Sequence, residues 1–127
     1  MKEDGFTLVE IVIAILVFGI ATAALSSMFI SIRNVQLQTA YYDTANRAAS
    51  REIESLRNNG YGSLTDGQTI DFTSNLPALL PHGHATATIS QPTAGLRRVD
   101  STVTYTTEGI TRTVTLSSLI GEIGITQ

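Results

Sequence analysis

The sequence has no cysteine, no tryptophan and only three prolines. Without cysteine there is no disulfide, no thiolate metal site and no thiol nucleophile, and redox chemistry says nothing about the compartment. Imidazoles are confined to His82 and His84, flanked by Pro81 and Gly83, with no acidic third ligand beside them. Basic residues are scarce as well. Eight Lys and Arg stand against eleven Asp and Glu, for a net charge of −3. They are scattered, which excludes a basic nucleic-acid tail or a polybasic membrane patch. There is no phosphate-cradling glycine loop, no nucleophile elbow and no Ser-x-x-Lys pattern. The sequence therefore offers no catalytic machinery and requires no cofactor and no metal.

What is present is unevenly distributed. Ile11 to Ile32 is a run of 22 residues without a charge. At a helical rise of ~1.5 Å per residue it reaches roughly 33 Å, enough to cross a hydrocarbon core of ~30 Å. A single carboxylate, Glu10, stands at its edge. The helical pattern continues past Arg33, now one-sided. Leu37, Tyr41, Ala45, Ala48, Ala49, Ile53 and Leu56 recur at three- and four-residue spacing and mark one apolar stripe. Gln36, Asp43, Arg47, Arg51 and Glu54 fall largely outside it. Asn58-Asn59-Gly60 is a stop signal, with Gly60 as C-cap. The spacing predicts one helix from about Phe6 to Asn58, apolar all round in its first half and amphipathic in its second.

Residues 60 to 83 carry turn chemistry, with a short strand expected at Thr69 to Phe72. The period then changes to two. Ala85, Ala87 and Ile89 alternate with threonines. Val99, Ser101, Val103 and Tyr105 do the same, as do Ile110, Arg112, Val114 and Leu116. Glu108-Gly109 predicts a tight hairpin turn, and Pro92 to Gly95 links the preceding pair of strands. The expected fold class is α+β: a long N-terminal helix whose amphipathic half covers the apolar face of an antiparallel sheet of three to four strands.

The residues Gly5-Phe6-Thr7-Leu8-Val9-Glu10, with the apolar run behind them, resemble the start of a type IV prepilin or pseudopilin. The long helix, variable loop and C-terminal antiparallel sheet are similar to that family too. The resemblance implies a leader of residues 1–5, cut after Gly5 by a membrane prepilin peptidase and followed by methylation of the new amine on Phe6. It implies four segments: the leader, a transmembrane and polymerisation helix over 6–32, an amphipathic half over 33–59 and a globular head over 60–127. It assigns Glu10 the fifth-position glutamate of the mature chain, paired with the cationic N-terminus of a neighbouring subunit. A carboxylate in the membrane core costs ~2.5–3.5 kcal/mol, and leader removal would create the charge that offsets it. The implied partners are other pilin subunits, the peptidase, the assembly machinery and, before assembly, the lipid bilayer. The implied locations are the cytoplasmic membrane, N-terminus inside, and then an extracellular filament.

Two features depart from the common pattern. The leader carries Glu3 and Asp4 where basic residues usually dominate. The mid-helix proline of many major pilins is absent, and Ser27 stands in its place. Any local unwinding in a filament would use Gly19 and the Ser26-Ser27 pair, while Gly19 and Ala23 form a small-xxx-small pair that lets helices approach closely.

Rival interpretations use the same residues. A minor pseudopilin of a secretion or competence system shares every feature named so far. A signal-anchored extracytoplasmic module that never polymerises has no use for Phe6 or Glu10. A secreted domain would be cut at Ala21-Thr22-Ala23, although the acidic start and the apolar residues up to Ile32 oppose it. Among smaller candidates, Asp66 and Asp71 are too few for a Ca²⁺ site and suit a turn. Arg97, Arg98 and Arg112 suggest a small basic spot on neighbouring strands, of the kind that contacts nucleic-acid phosphates. Charges that guard a sheet edge are the plainer account of them.

Overall fold

The structure is a computed structural model that describes residues 6–122. A single helix, α1, runs over Leu8–Asn59. Four strands follow: β1 (Thr69–Asp71), β2 (His84–Thr93), β3 (Leu96–Thr107) and β4 (Ile110–Gly121). Each pairs antiparallel with the next, giving one sheet of order β1-β2-β3-β4. The chain divides into two compact units, 1–38 and 39–127.

In the first unit α1 is apolar on all sides, and residues 6–37 are exposed throughout. It is the one helix among the described residues long and apolar enough to cross a membrane. In the second unit the same helix is one-sided. Its buried residues are Ala45, Ala48, Ala49, Ile53 and Leu56, all from the predicted stripe. Tyr41 joins the core at its rim, with its ring 6.2 Å from that of Tyr105. Leu37, the first residue of the stripe, is 48% exposed. The helix stops where Gly60 takes a positive φ of 82° and donates its N–H to the Arg57 carbonyl. Residues with a β-carbon resist that backbone region.

The sheet supplies the other half of the core. Ala85, Ala87 and Ile89 of β2 and Val99, Ser101, Val103 and Tyr105 of β3 are buried, with Val114 and Ile120 of β4. Their alternation puts the apolar side chains on one face. The opposite face is lined with threonines. Thr86, Thr102 and Thr115 stand level across three strands, and the hydroxyls of Thr102 and Thr115 lie 3.1 Å apart. Ile110 and Arg112, expected in the inward series, lie at the far end of β4 and are exposed.

The turns fix the register. Glu108 and Gly109 both have positive φ, at 53° and 76°, as a two-residue hairpin requires when its twist matches that of the strands. The β2–β3 connection is tighter than the sequence suggests. Pro92 does not lie in the turn but in the last part of β2, where the register shifts between Ser90 and Thr93. Proline has no N–H to give to the ladder, so an irregular stretch of pairing accommodates it. The turn itself is Ala94-Gly95, with Gly95 at φ 75°.

Candidate processing and assembly site

The start of α1 is built by its own residues. Thr7 precedes the helix, and its carbonyl accepts the first helical bond, from the Ile11 N–H at 3.2 Å. Its hydroxyl accepts the Glu10 N–H at 3.3 Å, and its carbonyl takes the same N–H at 3.0 Å. Thr7 is therefore the N-cap and Glu10 the third helical residue. The Thr-x-x-Glu spacing is that of a capping box, a signal legible in the sequence and passed over there. Phe6 lies outside the helix. Gly5 lies outside the described residues.

Glu10 is exposed on a helix face that is otherwise apolar. Phe6, Ile11, Ala14, Ile15 and Phe18 line a shallow groove with it. Phe6 and Phe18 are 80% and 71% exposed, so the carboxylate is surrounded by surface that water would leave. Its position in the first turn also suits the helix macrodipole. The helix dipole tolerates the charge, and the apolar surface beside it is left uncovered by the described residues.

Gly19, Ala23, Ser26 and Ser27 are brought together further along α1. At ~100° per residue Gly19, Ala23 and Ser26 occupy a face roughly opposite Glu10, with Ser27 at its side. A β-carbon added to Gly19 would meet nothing within 4 Å, which leaves this face open to another helix. Thr22 lies beside them, a residue with no helix-packing role in the sequence reading. Its hydroxyl donates to the carbonyls of Phe18 (2.5 Å) and Gly19 (3.1 Å). Ser26 donates to Thr22 (2.9 Å) and Ser27 to Ala24 (2.8 Å). Such back-bonding hides hydroxyls from lipid and slightly weakens the helix it loads. The segment is α-helical throughout in the single chain.

The smaller candidates resolve into structural roles. The Asp71 carboxylate accepts the Thr73 N–H at 2.8 Å, and bonds from the Thr73 side chain and backbone hold it below the usual aspartate value. Asp66 accepts the Gln91 N–H at 2.8 Å. His84 Nδ1 lies 2.7 Å from the Thr73 hydroxyl, and His82 sits at a positive φ of 50°. Among the described residues no three His, Cys, Asp or Glu gather as a metal site.

The basic spot does not form. Arg97 and Arg98 point to opposite faces of β3. Arg97 lies over the Tyr61 ring at 5.1 Å and bonds to the Leu64 carbonyl and the Gln91 side chain. Arg98 pairs with Asp100 at 2.9 Å on the outer face. Arg112 stands opposite Tyr105, seven and eight positions further along β3, or roughly 23–26 Å. Neighbouring strands were not enough, because an antiparallel register sends the ends of a hairpin apart.

The prokaryotic N-terminal methylation motif matches residues 1–26. The chain carries a prepilin-type cleavage and methylation signal. The match covers Phe6, Glu10, Gly19 and Ala23 and ends at Ser26. Behind the prepilin-type signal, the long apolar helix and four-stranded antiparallel sheet form a pilin-like α+β arrangement. The motif and the apolar N-terminal helix fit membrane anchoring. No curated protein and no solved structure matches the chain.

Proposed function

We propose that this chain is a subunit of a type IV pilus-like surface filament. It inserts through residues 6–32, is cut after Gly5, is methylated on Phe6 and assembles through its N-terminal helix. The observation that carries this reading is the prepilin-type signal, joined to an exposed glutamate at the start of a bare apolar helix. Glu10 meets the Phe6 amine of a neighbouring copy. In a bundle of apolar helices the dielectric is low, so the pair acts as an axial register pin more than as a general source of stability.

The two unlike faces of α1 favour a polymer over a closed dimer. One face holds Phe6, Glu10 and Phe18; the other holds Gly19, Ala23, Ser26 and Ser27. A face that meets a different face does not close as a two-fold dimer; it repeats, and generates a filament where the rotation does not close into a ring. The sheet then lies outward, with adhesion, motility or DNA uptake as the filament's task.

The test is the mass of the N-terminal peptide, from host membranes and from filaments sheared off the cell surface. A peptide beginning at methylated Phe6 in the sheared fraction supports a surface pilus. The same peptide confined to the envelope supports a secretion or competence pseudopilus. A chain beginning at Met1 supports an unprocessed anchor, and one beginning at Ala24 a secreted domain. Either of the last two overturns the proposal.

A further inference from the structure

We infer that the β3–β4 hairpin end of the unit 39–127 is a docking surface for a second copy of this chain: Glu108, at the tip of the turn, meets Arg51 on α1 of a neighbouring subunit. This deepens the proposed filament and rests on it.

Among the described residues, two other than glycine have positive φ, His82 at 50° and Glu108 at 53°. Histidine enters this backbone region more readily than most side chains, and glutamate does not. The Glu108-Gly109 turn needs positive φ at both positions, a need that asparagine meets with less strain at the first. Strain of this kind is held by the surrounding structure and directs attention to what the side chain does. The two strained turns lie together. The Pro81 carbonyl accepts the Thr106 N–H at 3.0 Å, so the loop bearing Leu79 and His82 rests against the base of the hairpin. Leu79 and Ile110 are both exposed. This end of the unit therefore presents an acid beside two bare apolar side chains.

Charge decides the occupant. Along the exposed side of α1, Arg47 pairs with Asp43 and Arg57 with Glu54. Arg51 stands between these pairs, exposed. It is the one arginine of the unit 39–127 whose side chain has no hydrogen bond or ion pair among the described residues. The Glu108 carboxylate is exposed and without a partner in the same way. The two cannot meet within one copy. Tyr41 stacks near Tyr105, while Arg57 reaches Ser118, which stands opposite Val99. β3 thus runs back along α1 and carries Glu108 roughly 10 Å beyond Tyr105. Arg51 lies ~15 Å from Tyr41 in the other direction along the helix. An acid at one end and a cation on another side make a heterologous contact, which repeats from copy to copy and does not close as a two-fold dimer. With the sheet outward in the filament, the exposed side of α1 turns toward neighbouring copies. Leu79 and Ile110 then cover the aliphatic stem of Arg51 and keep water from the pair.

The experiment expresses full-length variants in the host and measures processed chain in the membrane and in filaments sheared from the surface. Glu108→Arg sets two cations face to face. It should lower sheared filament about five-fold, the scale of one exposed ion pair, with the peptide beginning at Phe6 unchanged in the membrane. Arg51→Glu should do the same. Combining Glu108→Arg with Arg51→Glu should restore filament to within about two-fold of wild type, because the two sites are coupled. Glu108→Asn suits the turn better, so it should raise the urea midpoint of the full chain in detergent and still lower the filament yield. The inference fails if Glu108→Arg gives wild-type filament. It fails equally if the double variant yields no more than the single ones, since the hairpin end then meets another surface. A wild-type chain that never reaches the sheared fraction overturns the filament reading itself, and this inference with it.

Discussion

The Ser101 hydroxyl is buried in the middle of the core with no partner among the described residues. It stands level with Ala87 on β2 and Leu116 on β4, in the inward series that is otherwise apolar. An unsatisfied buried hydroxyl costs ~1–3 kcal/mol. Ser101→Ala should therefore raise stability by about 1 kcal/mol, visible as a higher urea midpoint at unchanged slope. Glu52 is a second liability. It lies within the apolar stripe of α1 by angle, and partial burial raises its pKa above the usual glutamate value. A raised acid binds its proton more tightly when folded. Its contribution to stability is thus complete below the unfolded pKa and is lost as pH rises through the folded one. At neutral pH the charge is unfavourable. Glu52→Gln should be more stable than wild type at pH 7, and the gap should close at about pH 3.5, where both are neutral. Thermal unfolding at the two pH values checks this. Asp100 is the reverse case. The Ser117 hydroxyl, then Arg98, hold its pKa down against desolvation, so its contribution is present at neutral pH and lost in acid.

At the scale of elements, α1 and the sheet meet through small residues. Ala45 and Ala49 are fully buried on the helix, as are Ala85 and Ala87 to within 1% on β2. A side chain larger than alanine at such a position has nowhere to go in a close-packed interior. Ala49→Leu should cost ~1–3 kcal/mol by overpacking, read as a lower midpoint in chemical denaturation. The helix and the sheet were legible in the sequence because each has a strong period and marked ends. Three- and four-residue spacing gave the stripe, alternation gave the strands, and Gly60 and Glu108-Gly109 marked an end and a turn. What was not legible depends on register. Arg97, Arg98 and Arg112 look adjacent until the hairpin pairing is known, and Pro92 looks like a turn residue until the irregular pairing beside it is seen. Glu52 was missed because a charged residue within an apolar stripe conflicts with the pattern that defines the stripe. Thr7 was missed for a simpler reason: the family motif drew attention to Glu10, three residues on.

At the scale of the molecule, the chain holds two sets of apolar side chains with different fates. The set from Ala45 to Ile120 is buried by the chain itself. The set from Phe6 to Ile32 is not, and Phe18 and Phe29 are each 71% exposed. Lipid satisfies the second set as well as neighbouring helices do, so moving it from membrane to filament gains little from the hydrophobic effect. In the filament we propose, specific terms must therefore decide assembly, namely the Glu10 ion pair and close packing at Gly19 and Ala23. Glu10→Ala should accordingly leave membrane insertion and cleavage intact while abolishing sheared filaments, measured by comparing processed chain in the membrane and surface fractions. Normal filaments in that variant would refute the role given to the carboxylate. The first set makes a separate claim. Among the described residues, every buried core residue lies between positions 45 and 120, inside the unit 39–127. The unit needs nothing from residues 1–38 to enclose its core. A chain comprising residues 39–127 should therefore be soluble without detergent and unfold in one cooperative transition in urea, whereas the full chain should stay with the membrane until detergent is added. If the shorter chain instead unfolds without cooperativity, the exposed helix supplies stability that the burial pattern assigns to the head alone.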